Sequence, residues 1–114
     1  MDRDFFRGKT IGEIVDDDTV DASKLTEDEL EGIKNREIVS YGVTRNENVT
    51  AFSDYSGLNV VVVFVDDKPK ALFYMYELHG VVVNAERSFV LAYGHEDIKI
   101  YWIKDGELTD IGTR

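Results

Sequence analysis

The chain has no cysteine, which removes disulfide scaffolds, thiolate zinc sites and cysteine nucleophiles together. The fold must rest on its core. A single proline and nine glycines exclude collagen-like and low-complexity chains, and no repeat of about 20 to 50 residues recurs. The longest apolar run, Val60–Val65, is far short of the roughly 20 residues of a membrane helix. The N-terminus, MDRDFFRGKT, lacks the apolar stretch of a signal peptide. No membrane association is expected, and the cytoplasm is the expected location.

Motifs for several chemistries are missing too. Neither the Walker pattern nor the dinucleotide fingerprint can be written in the sequence, which excludes P-loop and Rossmann enzymes. Ser56 precedes Gly57 without the rest of a nucleophile elbow. Positive charge is scarce, with 13 Lys and Arg against 23 Asp and Glu for a net charge of −10. Phosphate backbones are held by Lys and Arg displacing counterions, so direct nucleic-acid binding is disfavoured.

What is present is enough apolar material for one domain, 114 residues with 43% hydrophobic and 11% aromatic residues. The acids are concentrated. Between Glu13 and Glu31 lie nine of them against Lys24 alone, a balance of −8 in 19 residues, while the remaining 95 residues carry −2. Acid added for solubility alone would be spread over the surface, so this clustering points to a local acidic face. Asp16, Asp17, Asp18, Asp21, Glu27, Asp28 and Glu31 are the candidate partner-binding residues.

Periodicity divides the chain into a helical or irregular acidic segment, 1–36, and a β segment, 37–112, within a single domain, 1–114. Thr26 and Glu29 have capping-box spacing and Leu25 and Leu30 the hydrophobic-staple positions, which predicts a helix from Glu27 to about Lys34. Thr10 and Glu13 repeat the signal for a single turn. Alternation of Val39, Tyr41 and Val43 predicts a half-buried strand. Residues 58–65 are apolar on both faces apart from Asn59, as in a central strand; 70–78 reads as its partner after the Asp66-Asp67 turn. His79-Gly80 reads as a turn, and Asp105-Gly106 as a type I′ hairpin. Spacing of about 8 to 12 residues gives an α+β fold with the short helical segment on a mainly antiparallel, strongly curved β-sheet or half-open barrel of six to seven strands.

Three constellations invite chemistry. Asp16, Asp18 and Glu27 fall at positions 1, 3 and 12 of a calcium loop, but Val20 and Asp21 occupy places that need an oxygen ligand and glycine. His79 and His95, with Glu77, Glu96 and Asp97, can be drawn as a two-histidine metal site, although turn histidines beside acids are ordinary surface residues. Tyr74, Tyr76, Tyr93, Tyr101 and Trp102 would suit a base-stacking platform, but Lys99 and Lys104 supply little positive charge beside them. No metal and no cofactor are therefore expected. The expected function is that of a non-enzymatic acidic module occupying a basic surface of a partner protein, including a surface that normally holds nucleic acid, as inhibitors from phages and mobile elements (antidefence proteins) or toxin-immunity proteins do. The alternative is a small-molecule-binding or catalytic β domain with a Tyr/His-lined pocket. An open edge strand would also serve a homodimer.

Overall fold

The computed structural model describes residues 3–15, 21–22, 25–55 and 59–113. Both capping boxes form. In α1 (Ile11–Ile14) and α2 (Glu27–Lys34), the Thr10 and Thr26 hydroxyls accept the backbone N–H groups of Glu13 and Glu29, whose carboxylates accept the threonine N–H groups in return. At eight residues or fewer, such helices hold only through packing. Their inner sides supply Ile11, Ile14 and Ile33, all buried, and a preceding 3-10 helix, Arg3–Phe6, adds Phe6.

Among the described residues eight strands follow: β1 (Tyr41–Asn46), β2 (Val49–Asp54), β3 (Val60–Val65), β4 (Lys68–Tyr74), β5 (Leu78–Asn84), β6 (Phe89–Gly94), β7 (Ile98–Lys104) and β8 (Glu107–Thr113). They form two antiparallel meanders of four, β1-β2-β3-β4 and β5-β6-β7-β8, in place of one curved sheet or half-open barrel of six to seven strands. Alternation along β3 explains the layering. Val61, Val63 and Val65 share a core with Phe73 of β4 and with Val83, Val90 and Tyr101 of the second sheet's inner side. Val60, Val62 and Phe64 face the other way, into a second core with Phe6, Ile11, Ile14 and Ile33. Helices, first sheet and second sheet are thus three layers around two cores, and β3 is buried on both faces.

The boundary between the sheets lies inside the stretch that reads in sequence as one strand, 70–78. β4 ends at Tyr74 and β5 begins at Leu78, with Glu77 at φ 48° turning the corner. Gly94 seats that corner. A Cβ there would lie 2.6 Å from the Tyr76 carbonyl oxygen and 3.0 Å from that of Glu77, closer than any side chain allows. His79 and Gly80 are consequently in β5 rather than in a turn. Val39 also departs from expectation: it precedes β1 and is 72% exposed, because the chain there is pinned by the Thr10–Glu37 bridge instead of the sheet. Asp105 and Gly106 both have positive φ, 53° and 78°, as the type I′ hairpin requires. Margins of the sandwich are tied by Lys70 Nζ donating to Glu107 Oε1 at 3.1 Å and by the Ala85 N–H donating to Asn46 Oδ1 at 2.7 Å.

Candidate functional site

Helix α2 lies on the outer layer with Leu30 packed toward the core and Ile33 buried. Glu27, Asp28 and Glu31 fall within about 100° of arc on the opposite side. All three are exposed. Ion pairs elsewhere draw on other acids, among them Asp4, Asp67, Glu107 and Asp110. Glu29 differs from its neighbours because the Thr26 N–H and hydroxyl hold its carboxyl below the usual range. It is spent on the cap.

Asp21 sits apart from that helix face. Its backbone forms a parallel bridge with Ala71, the Asp21 N–H donating to the Lys70 carbonyl at 3.0 Å and the Leu72 N–H to the Asp21 carbonyl at 3.1 Å. A single residue therefore extends the first sheet beyond β4. Asp16, Asp17 and Asp18 lie outside the described residues, and so does most of the calcium-loop spacing.

Between α2 and the sheet corner opens a cleft of about 240 Å³. Leu25, Leu72 and Met75 give it apolar walls, Tyr74 and Tyr76 stand at it, and Glu29, Asp97 and Lys99 supply charge. Lys99 is the unexpected member. The sequence Ile98-Lys99-Ile100 suggests an outward lysine, yet Lys99 is 3% exposed and pairs on the inner side of the second sheet with Asp110. Tyr101 lies beside it, its ring centroid 5.3 Å from the ammonium. Burial, with Asp110 and then Asp21 adding negative charge, pushes the Tyr101 phenol well above the usual tyrosine range.

The tyrosines and Trp102 do not form one platform: Tyr101 is buried, Tyr93 and Trp102 point outward from the second sheet, and Tyr74 and Tyr76 are at the corner. His79 and His95 do come together, ring centroids 6.4 Å apart, with Glu77 Oε2 3.7 Å from His95 Nδ1. Among the described residues, no group of three His or acidic side chains is placed to hold a metal ion. No described helix is long and apolar enough to cross a membrane.

Sequence reasoning missed the outer face of the second sheet. Cross-strand rows there are Val82–Leu91–Ile100, Phe89–Trp102 and Tyr93–Ile98. The signal was available: residues 89–93 are apolar at both alternating sets of positions and 98–103 at every position but Lys99, which is one set more than the inner core uses. Comparison of the chain with protein-family models, characterised proteins and solved structures gives no match.

Proposed function

We propose that this protein is a non-enzymatic binding module whose acidic segment occupies a basic surface of a partner protein, including a surface that otherwise holds nucleic acid. The observation that carries this reading is the outward trio Glu27, Asp28 and Glu31, exposed on a helix whose other side is fixed in a core. Carboxylates spent on internal ion pairs would project little field. These are presented to solvent in the stretch that holds −8 of the −10 net charge, an arrangement that steers association with positive surfaces. Inhibitors of nucleic-acid enzymes and immunity proteins against basic toxins work by this physics.

A tagged pull-down at low and high salt, followed by mass spectrometry of the eluate, supplies the partner. Affinity should fall as the Debye length shrinks from about 10 Å at 0.1 M to about 3 Å at 1 M salt. Replacing Glu27, Asp28 and Glu31 by Lys should weaken binding at low salt about tenfold or more, with only a modest loss of stability from lysines at a helix N-terminus. Wild-type affinity in that variant would sink the proposal.

The cleft beside Tyr74 and Tyr76 favours the second reading, a small-molecule site. Its volume of about 240 Å³ lies below the roughly 300 to 1,000 Å³ of drug-sized pockets, so its ligand would be fragment-sized.

A further inference from the structure

A β-sheet with one face in a core ordinarily turns a polar face to water. The second sheet does not. Trp102 is 49% exposed, Val82 45%, Tyr93 42% and Ile98 41%, while Leu91 and Ile100, partly exposed, join them in register across β5, β6 and β7. Contiguous apolar surface of this kind marks an interaction site. From these rows we infer that the outer face of β5–β8 is the interface of a homodimer, two copies closing sheet on sheet.

Area fits a second copy as the occupant, and the distribution of charge permits it. Four strands about 4.8 Å apart, with about seven residues at about 3.3 Å each, make a face roughly 19 by 23 Å. Two such faces remove roughly 900 Å² from water, at the small end of interface sizes, which suits a weak, concentration-dependent dimer. Self-association of a chain with net charge −10 is opposed by its own field, and the cost depends on which surfaces meet. With layers about 10 Å apart, closing the second sheets together places the two α2 helices roughly 50 Å from each other, about five Debye lengths at 0.1 M salt. The acidic surfaces then face away on opposite ends of the dimer. The first sheet already displays the same solution internally, since its valine-rich inner side is packed against the inner side of the second.

Trp102 is the single tryptophan of the chain, so the unmodified protein reports on this face. Sedimentation velocity should show the mass doubling from 13.0 kDa at protein concentrations on the order of 10 to 100 µM, as suits a small interface. Over the same range tryptophan emission should shift to shorter wavelength and become resistant to iodide quenching. The dimer should persist at 1 M salt because the contact is apolar, whereas binding through the acidic helix should fade there; the two readings can thus fail separately. Trp102→Glu and, independently, Leu91→Glu should give monomers that retain the far-ultraviolet dichroism of the wild type. A chain monomeric at millimolar concentration, or a dimer in which Trp102 stays fully quenchable, would overturn the inference, the latter by placing the contact at a sheet edge or another surface.

Discussion

Lys99 and Asp110 form an ion pair in which the cation is the more deeply enclosed partner, its side chain 4% accessible against 25% for the carboxylate. That asymmetry decides which deletion hurts more. Asp110→Ala removes the carboxylate that faces a buried ammonium and frees the Gly112 N–H that donates to Asp110 Oδ1 at 2.8 Å; it should cost about 2 to 4 kcal/mol. Lys99→Met keeps the apolar stem, leaves a carboxylate that can turn to water, and should cost about 1 kcal/mol or less. Urea unfolding of both variants is the check, and a larger loss in Lys99→Met would reverse the assignment.

The Tyr101 phenol, raised first by burial and then by Asp110 and Asp21, makes stability depend on alkaline pH. Its ordinary value is 10.0, so above that pH the unfolded chain releases a proton that the folded chain still holds. Stability is fully present below about pH 10 and is lost as pH rises toward the folded value. Melting temperature should therefore fall from pH 10 upward, with a shallower decline in Tyr101→Phe. Ultraviolet titration of the folded protein should show one tyrosine that ionises only on unfolding.

Two glycines should respond in opposite directions to the same methyl group. Gly94→Ala drives a Cβ to within 2.6 Å of the Tyr76 carbonyl oxygen, backbone that can yield only by moving the corner between the sheets, and should cost about 1 to 3 kcal/mol. Gly32, in α2, has nothing within 4 Å of an added Cβ. Gly32→Ala should stabilise by about 0.5 to 1 kcal/mol through helix propensity and reduced chain entropy. Thermal denaturation of the pair tests both signs in one experiment.

Val62 is fully buried in β3 against the helical layer. Val62→Ala should cost about 1 to 3 kcal/mol, from lost methyl burial and the cavity left behind. The β3 amides, central in the first sheet, should be among the slowest to exchange, and rapid exchange across them would contradict the strand order.

Local signals in the sequence carried far. Thr26 with Glu29, Thr10 with Glu13, and Asp105 with Gly106 each specify their element through bonds or dihedrals spanning at most four residues, and each formed as read. The division into two sheets was less legible because its cause is not local. Between Ala71 and Leu78 only Glu77 interrupts the apolar alternation, with no glycine or proline to mark a turn, and the corner there is seated against Gly94, far along the chain. The inward placing of Lys99 has a related, non-local cause. Ile98 and Ile100 should by polarity face inward, but register with Tyr93 and Leu91 turns them outward, and Asp110 from β8 makes the inward lysine tolerable. Of the candidate site, Glu27, Asp28 and Glu31 could be placed on one helix face from spacing alone, whereas the backbone bridge of Asp21 to β4 has no sequence signature.

Each strand pairs with its immediate neighbour in sequence, so either meander can form as soon as its own hairpins have left the ribosome. The order of emergence is unequal in its hazards. The helices that cover Val60, Val62 and Phe64 are already synthesised when β3 appears, but the partners of Val61, Val63 and Val65 come from the second sheet and arrive later. For that interval the nascent chain carries a bare valine ridge, and the acidic Asp66-Asp67 turn that follows it sets charge beside the stretch most prone to aggregate.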